Sequence, residues 1–234
     1  MAMMQEKKSL RWPGRLLPRG FFEAKPERVA PGLLGKLLLH RIEAASGPVL
    51  LGGRIVEVEA YLGPHNDPPD PAAHSHRGPT PRTAVLFGLA GHAYVYSIYG
   101  RYFCLNVSCE AEGQAGCVLL RAVEPLFGLA EMAVNRGQPQ GVAFPDRLKP
   151  QLTAGPGRLC QALGVVRASH NGLDVAAGDS ALQIRDDGFK ATEALATPRI
   201  GIKEAVDWPL RFVLPGHACL SGPKSLTGKR IFLG

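Results

Sequence analysis

Several absences narrow what this 234-residue sequence can be. Its five cysteines, Cys104, Cys109, Cys117, Cys160 and Cys219, form no Cys-x-x-Cys pair. An odd number of thiols among apolar neighbours reads as reduced, mostly buried side chains, not as a disulfide framework or a zinc knuckle. No stretch reaches the ~18 consecutive apolar residues of a membrane-spanning helix. The N-terminal MAMMQEKKSLRWPGRLLPRG is basic throughout and lacks the apolar segment of a secretory signal, so a cytoplasmic location is expected, on the nucleoid or in the nucleus according to the cell. Walker, dinucleotide-binding and nucleophile-elbow motifs are all missing. Lysine is absent between Lys36 and Lys149, which removes Schiff-base amines from that stretch. Tyrosine stops at Tyr102, with 132 residues still to come.

What is present is concentrated. Aromatic residues make up 7% of the chain, yet YVYSIYGRY, residues 94–102, holds four of the five tyrosines. A core spreads its aromatics over many elements, so this clustering points to a surface or pocket that uses flat rings. The net charge is +7 and the isoelectric point about 9.3. A basic surface speeds the capture of polyanions, and nucleic acid or an anionic membrane are the leading partners. With 45% apolar and 20% charged residues the chain is an ordinary globular one.

Along the chain, residues 1–20 read as a poorly ordered basic arm and 21–234 as one domain. PERVAPGLLGKLLLHR reads as a short helix running into a strand. GGRIVEVEAYLG alternates Ile55, Glu57, Glu59 and Tyr61 against Val56, Val58 and Ala60, a strand period. A glycine- and proline-rich loop follows from Gly63 to Pro81. HAYVY and RYFCLNVS flank SIYG and predict a β-hairpin. GCVLLRAVEP predicts a strand, PLFGLAEMAVNRG a helix opening at Pro125, residues 138–155 a loop, PGRLCQALG a second helix, and SALQIRD and LRFVL late strands. Strands outnumber helices without alternating with them, which predicts an α+β fold with a mainly antiparallel sheet, flanking helices and a protruding hairpin.

Among groups able to do chemistry, Glu57 and Glu59 read most simply as the solvated face of a half-buried strand. A strand that runs straight into a loop, however, places Glu59 and Tyr61 at a rim, where a carboxylate can serve as general base on water. His74 and His76 could bind a metal with Asp67 or Asp70, although no third ligand has diagnostic spacing. Tyr94 and Tyr102 fit cross-strand packing. Tyr99 falls at a turn tip with little to pack against, and apolar side chains in such positions pry open the minor groove.

Taken together, GRIVEVEAYLGP, AAHS, TPR, YVYSIYGRYFCLNVS, CVLLRAVEPL, GPGRLCQAL, TPRIGI and WPLRF resemble the alkyladenine (3-methyladenine) DNA glycosylases, in one order over roughly residues 20–220. The resemblance implies a single domain with an antiparallel sheet and a protruding hairpin. It implies a monofunctional enzyme of base excision repair that flips a damaged purine from duplex DNA and hydrolyses its N-glycosidic bond. The named lesions are 3-methyladenine, 7-methylguanine, hypoxanthine and ethenoadenine. By position, Glu59 becomes the general base, and Arg121 with the Ile200 main-chain carbonyl holds the attacking water. Tyr61 and His74 stack on one side of the flipped base and Tyr96 on the other, with the His74 N–H reading the purine edge. Asn106 excludes the 2-amino group of guanine, and Tyr99 intercalates into the vacated stack. No cofactor or metal is implied; the partner is double-stranded DNA carrying a damaged purine, met by a monomer with no membrane attachment. His76, Arg101 and a His74–Thr80 loop one residue short depart from the family pattern. Two other classes of function compete: a non-catalytic binder of distorted duplexes, and a metal-dependent hydrolase using His74, His76 and an aspartate.

Overall fold

The computed structural model describes residues 11–44, 47–223 and 226–233. In chain order it runs β1 (Arg15–Leu16), α1 (Arg19–Phe22), α2 (Pro26–Leu33), β2 (Leu37–Ala44), β3 (Gly47–Tyr61), β4 (Ala93–Ile98), β5 (Tyr102–Cys109) and β6 (Gly116–Phe127). It continues through α3 (Leu129–Asn135), α4 (Lys149–Thr153), α5 (Pro156–Leu163), α6 (Arg167–His170), β7 (Leu182–Asp186), β8 (Glu193–Thr197), β9 (Arg211–Val213) and β10 (Lys229–Phe232). These strands form one sheet in the order β1-β7-β2-β3-β6-β5-β4, with β9, β8 and β10 branching from β3. Every pairing among the described strands is antiparallel, so the α+β expectation with a mainly antiparallel sheet is met.

The branch explains why β3 is central. One of its edges pairs β6 along most of the strand. The other meets β2 over residues 47–54 and β9 over Glu57–Glu59. Leu38, Leu51, Ile55, Val58, Leu105 and Leu120 bury one face of this sheet against Leu33 of α2 and Leu159 and Leu163 of α5. Each such side chain contributes about 1.5–3 kcal/mol of transfer free energy.

Four expectations change. Residues 11–20 are not a loose arm: Arg15 and Leu16 pair with Asp186 and Arg185, and Trp12 packs on Leu37, Leu39 and Leu50 with Arg41 and Arg185 over its ring. Residues 1–10 of the expected arm lie outside the described residues. The helix placed at Pro125 begins at Leu129, because β6 continues through Pro125 to Phe127 and turns at Gly128 in the left-handed region. The loop expected over 138–155 contains α4. Finally, β8 and β10, which the sequence pattern did not mark, form a second layer of pairing beside β9.

Candidate active site

Glu57 and Glu59 owe their setting to a pair of bulges. The β3–β6 register steps from Ile55↔Val123 to Glu57↔Ala122 and then to Val58↔Leu120, so Val56 and Arg121 are each passed over. A bulge turns a strand locally and re-aims its side chains. Ile55 therefore joins the main core with Val58 and Ala60, not the face of Glu57, Glu59 and Tyr61 where the period of two had placed it. The carboxylates are not a solvated face: both are completely buried.

Arg121, aimed by its bulge, lies between them. Its Nε donates to Glu57 Oε1 at 2.8 Å and its guanidinium pairs with Glu59 Oε1 at 3.1 Å. Glu57 also accepts from Arg211 Nε at 2.8 Å and from the N–H and hydroxyl of Ser221 at 2.5 and 2.8 Å. This closes β3, β6, β9 and the segment at Ser221 around one carboxylate. Burial works against the Arg121 charge, but Glu59 and Glu57 outweigh it and raise its pKa. Glu59 is held differently: the Ile200 N–H donates to Oε1 at 2.8 Å and the Tyr61 hydroxyl to Oε2 at 2.9 Å. Two carboxylate oxygens offer about four acceptor positions, so three donors leave one for a water. Burial first, and Glu59 second, push the Tyr61 phenol far above its ordinary pKa, so it stays a donor.

Beside this cluster opens a cavity of about 550 Å³. Its sheet wall carries Tyr61, Tyr94, Tyr96, Cys104, Asn106 and Arg121. Loop residues His74 and Arg82 close one side, and Ile200 to Glu204 close another. His74 Nδ1 is hydrogen-bonded to the Tyr94 hydroxyl at 3.0 Å. Its pKa is lowered to about 4, by burial first and then by the Arg82 charge, so the ring is neutral. His74 and Tyr96 meet edge to face with centroids 4.5 Å apart. A purine between two parallel rings needs about 7 Å, twice a carbon contact, so stacking there requires one ring to turn aside. Asn106 is buried, with its Nδ2 donating to Tyr94 O at 3.1 Å.

The hairpin of β4 and β5 carries the tyrosine cluster from this wall to the solvent. Tyr99 and Gly100 both have positive φ, 51° and 65°, and Arg101 N donates to Ile98 O at 3.2 Å, the pattern of a two-residue mirror-image turn. Glycine suits that conformation; tyrosine pays strain for it. Tyr99 is 90% exposed and lies at the cavity mouth. Tyr102, which follows the turn, packs onto Gly157 of α5, where an added Cβ would sit 3.4 Å from its ring.

A model of the methylpurine-DNA glycosylase family matches residues 20–218. The chain belongs to that family. A protein of Koribacter versatilis is 50% identical over 210 residues, 90% of this chain and 95% of its own length. Others from Burkholderia lata and Methanoculleus marisnigri are each 44% identical, over 91% and 88% of this chain and 94% and 98% of their own. All three are named, provisionally, 3-methyladenine DNA glycosylases. Membership makes the chain a DNA glycosylase, a hydrolase of N-glycosyl bonds whose substrate is DNA.

Tyr61, His74, Tyr96, Tyr99, Asn106, Arg121 and Ile200, singled out from the sequence, all line this one cavity, with Glu59 directly behind Tyr61 and Ile200. The Ile200 contact with Glu59 runs through its N–H. Asp70, considered as a metal ligand, is held by both terminal nitrogens of Arg199 at 2.5 and 2.9 Å. Other participants went unnoticed. Arg82, Arg199 and Arg211 lie within TPR, TPRIGI and WPLRF, where the sequence pattern does not show which acid or ring each charge meets. Lys203 lies at the cavity mouth, so the lysine-free stretch does not keep every amine from the site. All five cysteines are buried and free.

Proposed function

We propose that the cavity receives a damaged purine turned out of duplex DNA, and that Glu59 drives hydrolysis of its N-glycosidic bond. The observation that carries this reading is a fully buried carboxylate directly behind the cavity wall, oriented by Ile200 N–H, Arg121 and Tyr61, with one acceptor position open. In the reaction the base departs with the bonding electron pair and leaves positive charge on the sugar. The Glu59 anion stabilises that charge and takes a proton from the water that attacks the anomeric carbon. Arg121 pairs with Glu59 and holds its carboxylate in place. Tyr61, His74 and Tyr96 provide the walls for the base, Asn106 the shape filter, and Tyr99 the wedge in the vacated stack. Extrusion itself selects, since damaged or mispaired bases are cheaper to unstack. A monomer acting on one lesion is sufficient for all of these roles.

A non-catalytic binder would have no use for a buried carboxylate poised at the cavity. The test is single-turnover excision on duplexes each bearing 3-methyladenine, 7-methylguanine, hypoxanthine or ethenoadenine. Release of free base with an intact abasic strand is expected. Tight binding without release of any base would overturn the reading, and borohydride trapping of a covalent adduct through Lys203 would replace the water mechanism.

A further inference from the structure

We propose that Arg82 sets the lesion preference of this site, favouring neutral damaged purines over purines made cationic by ring alkylation. The inference rests on the glycosylase reading above and names the substrate class of the same cavity. Aromatic walls ordinarily attract a cationic base, because the ring faces are electron-rich. Here Tyr61 and Tyr96 each carry a guanidinium already. Arg199 Cζ lies 4.6 Å from the Tyr61 ring centre and Arg82 Cζ 5.2 Å from that of Tyr96.

The two arginines differ in what balances them. Arg199 and Asp70 are both fully buried and paired through both terminal nitrogens, which cancels the Arg199 charge. Arg82 is exposed on its loop and has no ion-pair partner among the described residues. The remaining charges at and behind the cavity balance: Arg121 and Arg211 are matched by Glu57 and Glu59, and Lys203 adjoins Glu204 at the mouth. Arg82 is therefore the uncompensated charge on the recognition wall. The ring beside it responds as expected: His74 is held neutral, by burial first and then by Arg82.

A second positive charge brought onto the Tyr96 face meets the same repulsion across one ring. A neutral purine meets the opposite situation. Its ring nitrogens and carbonyl oxygen keep their lone pairs, and a guanidinium offers five donors and no acceptor. Methylation at N7 removes one of those lone pairs and adds a charge, so Arg82 penalises the modification twice.

The experiment compares single-turnover excision of 7-methylguanine and hypoxanthine in one duplex sequence, by the wild-type chain and by Arg82→Met and Arg82→Lys. Arg82→Met, which keeps the length of the side chain and removes the charge, should raise the 7-methylguanine-to-hypoxanthine rate ratio at least about tenfold. Arg82→Lys should hold the ratio near the wild-type value. A ratio that stays within about twofold in Arg82→Met, with both rates falling together, would overturn the proposal and assign Arg82 to the DNA backbone. Equal ratios in the Lys and Met variants would overturn it too. Failure of the wild-type chain to excise either lesion would overturn the glycosylase reading itself and this inference with it.

Discussion

At the scale of single residues, Tyr99 separates a wedge from a wall. Its ring is 90% exposed and its backbone sits at φ 51°, so removing the ring costs the fold little. If the ring fills the gap left by a flipped nucleotide, Tyr99→Ala forfeits a stacking contact of roughly 1–3 kcal/mol and slows excision of a paired lesion about 5- to 150-fold. The loss should shrink where the lesion sits in a mismatch or bulge, because less unstacking is then required. Tyr96→Ala should slow both contexts alike, since a cavity wall is used whenever the base is out. Excision rates of both variants on paired and bulged lesions decide the matter; an equal effect of Tyr99→Ala in every context would remove it from the wedge role.

At the scale of elements, the site depends on the doubled bulge between β3 and β6. The period of two in β3 was legible, as were the hairpin, β6 and α5, because each has a long enough apolar pattern and punctuating glycines or prolines. A bulge adds no composition signal: Val56 looks like any strand valine, and only the register shows that Ile55 and Glu57 face different ways. Nor could the pattern show that Glu57 is buried, since its partners Arg211 and Ser221 lie more than 150 residues away. EALAT of β8 was passed over because alanine-rich pentads carry little strand preference. Glu57→Gln tests the cluster. It leaves Arg211 buried with a neutral partner while Arg121 keeps Glu59, and breaking a buried pair in this way costs about 3–5 kcal/mol. Urea unfolding should show that loss as a lower midpoint at unchanged slope; a variant as stable as the wild-type chain would mean that the cluster does not hold β3, β6 and β9 together.

At the scale of the whole molecule, stability and activity respond to protons in different places. His40 and His170 form a buried chain remote from the cavity. His40 Nδ1 meets Leu163 O at 2.7 Å, the two Nε2 atoms are 3.1 Å apart, and Val166 N–H reaches His170 Nδ1 at 3.2 Å. Two neutral rings satisfy all these contacts; adding a proton to His40 sets two N–H groups against each other. Burial, and the neighbouring His170, lower the His40 pKa from 6.5 to about 4. The unfolded chain then binds a proton that the fold refuses. The stabilisation is fully present above pH 6.5 and is lost as pH falls towards 4, by about 3 kcal/mol for this group. Urea midpoints measured at intervals from pH 7.5 to 4 should fall across that window, and a flat profile would contradict the neutral pair. For function, the most direct measurement is single-turnover excision by Glu59→Gln, with affinity for the lesion duplex measured alongside. Glutamine keeps the shape, its carbonyl still accepts from Ile200 N–H and Arg121, and the Tyr61 hydroxyl can turn to accept. Excision should fall by about 10²–10⁴-fold, while affinity stays within about tenfold. A variant that excises within about tenfold of the wild-type rate would remove Glu59 from the reaction.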